Sequence, residues 1–349
     1  MTRSVLLLSV AFVLAAGTAS AQEEGRKLRL VGKGSAPAPA SFVIDAVVTK
    51  GYEPLQSEVS GWFTALPPDA GAGDISGSCV EDRCVLSVSL DDGKLSLTGD
   101  FAKAGATSFA GRAILSESYG DAKTGEAPVT YAAVGEDIPG LGKLAPEGAV
   151  SEHELASLVV WAGAPYGFNY TDDGPPGDME RDALAEWQAL GERPGRGLIL
   201  TDQLAALRAE AAAARAKARW TEVAGKGWKA GYPAALLSPA GEGRYASADG
   251  KASLVYSVSA AVDDDGWDAM VDEAHAEADG RDVQGYTRVN DDMEITLLEG
   301  GVRRFSVMHR RPGGVAKAVL SYPAEAPGGL DAYETILARE FRVTDELAP

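Results

Sequence analysis

Residues able to do chemistry are sparse in this 349-residue chain, which holds three histidines and two cysteines. His153 lies in a run that reads as a helix start. His275 stands beside an apolar helical stripe with Glu273 and Glu277 near it, and no second histidine is spaced to share a metal ion. His309 precedes Arg310 and Arg311, and with Arg303 and Arg304 it forms the one basic cluster of an acidic chain. That cluster is a candidate anion patch, since guanidinium forks suit carboxylates and phosphates. Its plain alternative is a set of arms along a solvated sheet face, offset by surrounding acids. Asp263-Asp264-Asp265-Gly266 invites a calcium reading. Aligned as an EF-hand loop, however, the first ligand would be Ala261 and the twelfth Asp272, so no metal site is expected.

The nucleophile elbow Gly-x-Ser-x-Gly, the His-Glu-x-x-His zinc motif, Ser-x-x-Lys and the phosphate-binding loop are all absent. With no catalytic residue to name and no cofactor implied, the expectation is a protein that is not an enzyme. The 51 carboxylates leave room for an acidic pair of glycosidase type, so a hydrolase with an unrecognised acidic site is the rival reading.

Met1–Ala21 sets the expected compartment. Arg3, the apolar run Val5–Ala16 and the small-residue end Ala19-Ser20-Ala21 have the form of a cleaved export signal, cut after Ala21. No cysteine follows the cut to carry a bacterial lipid anchor. A periplasmic or secreted location is expected, with no membrane insertion after cleavage. In that oxidising setting the close, even pair Cys79 and Cys84 reads as a disulfide stapling a hairpin. The formal net charge is −19, and losing Arg3 makes it more acidic. Such a surface repels nucleic acid and anionic membrane faces, so neither is an expected partner.

These groups need elements to hold them. Residues 22–40, rich in charge and then in Ala and Pro, read as a flexible lead-in. Residues 41–145 alternate with period two, and Asp91-Asp92-Gly93 marks a hairpin, so an antiparallel β domain is expected. Residues 146–222 change to a period of 3.6. Ser151 to Glu154 is a capping box, Leu155, Leu158, Val159 and Ala162 form one stripe, and Thr201 or Asp202 caps a third helix. Residues 227–349 mix strands turned at Gly300-Gly301 and Gly313-Gly314 with a helix behind Asp263–Asp265 and a closing helix over 330–339. The expected fold class is multidomain α+β.

Two stretches resemble known families. Asp173-Gly174, then Arg181-Asp-Ala183-Leu184-Ala-Glu-Trp187-Gln188, then Gly195-Arg-Gly197-Leu198, Thr201 and Leu204, resemble the peptidoglycan-binding-like three-helix module. Glu180 and Asp178 stand where that family has Thr and Pro, adding negative charge. The resemblance implies a glycan or peptide groove at Asp173, Arg181, Trp187 and Gln188. Of these, Arg181 and Gln188 are the hydrogen-bonding members, whereas Ala183, Leu184 and Trp187 suit any helical core. Gly231-Tyr232-Pro233 to Leu237, Tyr245 to Leu254, the paired glycine hairpins and Tyr322-Pro323 resemble a PsbP-type α/β/α domain, whose members serve in binding or assembly.

The combined expectation is a non-catalytic envelope protein that binds peptidoglycan or another envelope protein. The third reading is a structural interaction protein whose helices only space the outer domains.

Overall fold

The computed structural model describes residues 26–51, 56–66, 71–90, 93–101, 107–116, 123–146, 148–165, 176–276, 280–343 and 347. The expected leader Met1–Ala21 lies outside them.

Period-two alternation builds a barrel. β1 (Arg26–Lys33), β2 (Ser41–Lys50), β3 (Gln56–Ala65), β4 (Ala72–Val80), β5 (Arg83–Leu90), β6 (Gly93–Gly99), β7 (Ser108–Ser116) and β8 (Lys123–Ala133) pair antiparallel in chain order. β8 then returns to β1, setting Tyr131 opposite Gly32 and closing the sheet. Closure removes the open strand edges that would otherwise template aggregation. Leu30, Phe42, Ile44, Phe63, Leu86 and Leu97 fill the interior, so this is a packed core and not a channel. Each such aromatic or branched side chain stabilises the fold by roughly 1.5–3 kcal/mol on burial. Cys79 and Cys84 face each other across the β4–β5 turn, are buried in this core and are disulfide-bonded.

The expected lead-in is corrected here: residues 26–33 are a barrel strand, with Leu28 and Leu30 inside. The basic residues that make the segment look solvated alternate with those leucines and point outward.

After the short hairpin of β9 (Asp137–Ile138) and β10 (Gly142–Lys143) come α1 (Glu152–Trp161), α2 (Asp178–Leu190) and α3 (Thr201–Ala218). Ser151 caps α1 by accepting from the Glu154 amide at 3.2 Å, as its capping pattern implies. The N-cap of α3 is instead Leu200, which supplies no side-chain cap. Every α1 residue from Leu155 to Trp161 is buried, so α1 is covered on all sides and not along one stripe.

β11 (Trp220–Gly225) and β12 (Trp228–Pro233) form a small sheet that later takes in β20 (Arg342–Val343). β13 (Ser238–Gly241), β14 (Arg244–Ala246), β15 (Ser253–Ala260), β16 (Arg281–Val289), β17 (Asp292–Glu299), β18 (Val302–Arg311) and β19 (Gly314–Pro323) make a seven-stranded antiparallel sheet. Its order is β13-β14-β15-β19-β18-β17-β16. α4 (Asp264–His275) covers one face through Trp267 and Val271. α5 (Tyr333–Glu340) covers the other. Gly300 and Gly301 turn β17 into β18 with φ of 57° and 79°, values that favour glycine.

The expected fold class is therefore corrected. The described residues hold twenty strands and five helices, organised by a closed barrel and antiparallel sheets. The three middle helices are not a self-sufficient module. Their core includes Ile336 of α5 and packs against Trp220 and Tyr333. The C-terminal part is a small three-stranded sheet beside a seven-stranded antiparallel sheet that carries one helix on each face. Helical periodicity is conspicuous in a sequence, whereas barrel closure depends on a pairing between strands almost a hundred residues apart.

Candidate functional site

On the barrel wall, alternation turns Leu28, Leu30, Ile44 and Ala46 inward and sends Arg29 and Asp45 outward. The β1–β2 register sets Arg29 directly opposite Asp45. Arg29 Nε donates to Asp45 Oδ1 at 3.0 Å. α2 lies over this spot and brings Arg181 Nη2 to 3.6 Å from Asp45 Oδ2. All three side chains are largely enclosed, at 14%, 15% and 17% exposure for Arg29, Arg181 and Asp45.

A cleft of about 310 Å³ opens along this junction. Lys27, Arg29, Asp45, Ser60, Asp178 and Arg181 supply its polar lining, while Leu144, Ala145, Pro146, Val150, Pro176 and Ile199 supply an apolar wall. That mixture, an apolar body with a few convergent polar groups, is the ordinary make-up of a small-molecule site. Burial lowers the pKa of Arg181, and the Asp45 carboxylate pulls it back up. Burial, with Asp74 nearby, raises the Asp178 carboxyl above the usual carboxylate range, and Arg181 opposes that rise.

Hydrogen-bond capacity distinguishes this place. Each guanidinium carries five N–H donors. Arg29 uses Nε on Asp45, and its two terminal nitrogens make no hydrogen bond among the described residues. Arg181 donates from Nη1 to the Gly197 carbonyl at 3.4 Å and otherwise has the long contact to Asp45. The cleft wall therefore carries two guanidiniums with donors to spare.

Two residues of the groove implied by the peptidoglycan-binding resemblance are turned inward. Gln188 is fully buried, accepting from the Gly197 amide at 2.6 Å and donating to Leu198 O at 3.0 Å and Gln203 Oε1 at 2.7 Å. Trp187 is buried too, donating from Nε1 to Glu210 at 2.8 Å beneath the Arg193 guanidinium. Gln188 holds the 195–198 loop, whose Arg196 carbonyl accepts from Trp62 Nε1 at 2.7 Å and Thr64 Oγ1 at 3.1 Å on the barrel. Gly197, at φ 88°, lies against the Trp62 ring where a methyl group would collide. Asp173 lies outside the described residues. Arg181 alone of the four faces a cleft, and it faces the barrel. Arg29, Asp45 and Lys27 escape sequence reasoning, because no local pattern pairs positions that meet only across a hairpin or between domains; Asp178 is noticed there only as added negative charge.

The candidate anion patch on β18 is divided by the pleat. Phe305, Val307 and His309 belong to the α5 face, together with Arg303 and Arg311 at the same alternation. Met308 and Arg310 lie on the α4 face, Arg310 over the Trp267 ring, with Arg304 on that side. Each member has a carboxylate. Arg303 makes a forked pair with Glu334 through Nε and Nη2, both at 2.8 Å. Arg304 reaches Glu299 at 3.5 Å, and Arg310 meets Asp264 at 2.7 Å and Asp291 at 2.6 Å. Buried His309 holds Asp292 at 2.6 Å, with Arg311 on the same carboxylate at 2.9 Å. The cluster is internally neutralised, so it does not form an anion patch.

Sequence comparison yields no matching family model and no matching curated protein. Among solved structures, the solution structure of cyanobacterial PsbP (CyanoP) from Synechocystis sp. PCC 6803 is similar over 36% of this chain and 92% of its own length. The identity is 12% and the TM-score 0.26, so this is a distant likeness from which nothing about the site follows.

Proposed function

We propose that this chain is a non-catalytic exported binding protein whose ligand occupies the cleft between the barrel and α2. The supporting observation is the cleft itself: about 310 Å³, with unfilled guanidinium donors on one wall and an apolar opposite wall. The leader-like Met1–Ala21 supports export, and the internal commitment of Trp187 and Gln188 weighs against a peptidoglycan groove. The test is thermal denaturation of the chain from Gln22 onward against a library of small organic molecules, run beside Ser60→Trp. Ser60 is an exposed residue on the cleft wall, so an indole there fills the space without entering the barrel. A ligand at a hundred times its dissociation constant stabilises by about 2.7 kcal/mol, a shift of several degrees. A compound that shifts the parent chain and leaves Ser60→Trp unmoved supports the reading. Equal behaviour of both proteins toward every compound overturns it.

A structural interaction role is the second reading, favoured by one contact. Glu340 of α5 accepts from Ser157 at 2.7 Å, Trp161 at 2.8 Å and Arg215 at 2.6 Å, tying the helical layer to the C-terminal sheets.

A further inference from the structure

We infer that the site takes a small monoanionic carboxylate carrying an apolar body, its carboxylate bridging Arg29 and Arg181; this rests on the cleft being a ligand site.

The sign of the ligand charge follows from the wall. Lys27, Arg29 and Arg181 face the space, against the carboxyls of Asp45 and Asp178. Asp45 already holds both arginines, yet it engages Arg29 through one nitrogen and Arg181 only at 3.6 Å. The terminal nitrogens of Arg29 make no hydrogen bond among the described residues, and Arg181 adds one long bond to Gly197 at 3.4 Å. Planar guanidinium forks with open donors match the two oxygens of a carboxylate. A cationic ligand would meet three basic side chains against two carboxyls, one of which, Asp45, is already engaged by both arginines.

The number of charges follows from the acids. Asp45 and Asp178 share the cleft, so a dianionic phosphate would face two carboxylates at close range in an enclosed site. A single negative charge is the better fit. Asp178, raised by burial, is also the group placed to take up a proton when an anion enters. The size follows from the volume. At about 30 Å³ per water-sized group, the space holds about ten non-hydrogen atoms. The apolar remainder of such a ligand has Leu144, Pro146, Val150 and Ile199 to pack against.

The probes are 3-phenylpropanoate, its neutral amide, the matching amine and phenyl phosphate, each titrated calorimetrically into the chain from Gln22 onward at pH 7. 3-Phenylpropanoate is expected to bind at least tenfold more tightly than the amide, with the amine and phenyl phosphate weaker still. Arg29→Gln is expected to bring the carboxylate down to the amide's affinity, whereas Arg29→Lys retains a measurable preference. Asp178→Asn is expected to narrow the gap between carboxylate and phosphate. An amide or amine that binds as well as the carboxylate, lost in Ser60→Trp, overturns the carboxylate assignment and leaves the cleft as a ligand site. Binding of the carboxylate that survives Ser60→Trp also overturns it, because the site then lies elsewhere. A proof of folding for each variant comes from an unchanged circular dichroism spectrum.

Discussion

Two groups of arginines in this molecule have opposite fates. On β18, Arg303, Arg310 and Arg311 are each held by one or two carboxylates at 2.6–3.2 Å, and the Arg303–Glu334 pair is a full fork that also takes in the Tyr322 hydroxyl. At the barrel–helix junction, Arg29 and Arg181 share a single carboxylate and keep donors open toward a cleft. The first group is the one that stands out in the sequence, as a local run of basic residues. The second consists of isolated residues far apart in the chain. Density of charge along a sequence thus says little about binding capacity. What matters is how many donors remain once the fold has supplied its own acceptors.

The comparison breaks most visibly if the satisfied side loses an acceptor. Asp292 is 6% exposed and holds both His309 and Arg311. Asp292→Ala removes the buried carboxylate that both groups bond, an expected loss of about 3–5 kcal/mol, read by urea denaturation at pH 7. A loss under about 1 kcal/mol would mean that the cluster is not a tightly satisfied network.

One pair on that same face is poorly matched, and it sharpens the comparison. Glu294 lies beneath α5, 3.9 Å from Arg339, and its Oε1 accepts no hydrogen bond among the described residues. Burial pushes its pKa up to about 7 from 4.5, with Arg339 opposing and Glu334 adding to the rise. A carboxyl that titrates higher folded than unfolded favours the protonated fold. Its stabilising share is complete below pH 4.5 and is lost as pH rises through about 7. The expected decline from this group between pH 4.5 and 8 is ~3 kcal/mol. In Glu294→Gln that part of the pH slope disappears, which paired denaturation curves at pH 5 and 8 measure.

Arg215 falls between the two groups. Its Nη2 is taken by Glu340 and Ser157, while its buried Nε has no partner among the described residues. Glu340→Gln weakens three bonds at once, one of them to a charged donor, for an expected cost of about 2 kcal/mol in chemical denaturation. The smallest effect belongs to the cleft. Arg29→Gln removes one ion-pair bond to an enclosed Asp45 that keeps Arg181 as its counter-charge, and is expected to cost about 1.5 kcal/mol in stability. A larger loss in the same denaturation experiment would make Arg29 a structural residue like those of β18.

Several elements are legible in the order of residues alone. The disulfide, the capped start of α1, the hairpin between β5 and β6, and the glycine turns after β17 and β18 each depend on chemistry within a few residues. The β1 strand is not, because two leucines between basic residues look the same in a loop as on a barrel wall. Gln188 is legible as a polar group with reach, and its reach is spent inside the protein on the 197–198 backbone. Of the cleft only Arg181 is legible, since its partners Arg29 and Asp45 come from two distant strands.

Local periods, turns, the cysteine bridge and an acidic chain with a leader-like start follow from neighbours and from composition, so the residue order alone is enough to set them. The closure of β8 on β1, the core that the helices share with α5, and the arginines left with open donors are set by tertiary packing instead. Those outcomes depend on contacts between distant segments, where packing and donor–acceptor geometry, not residue type, select the partner.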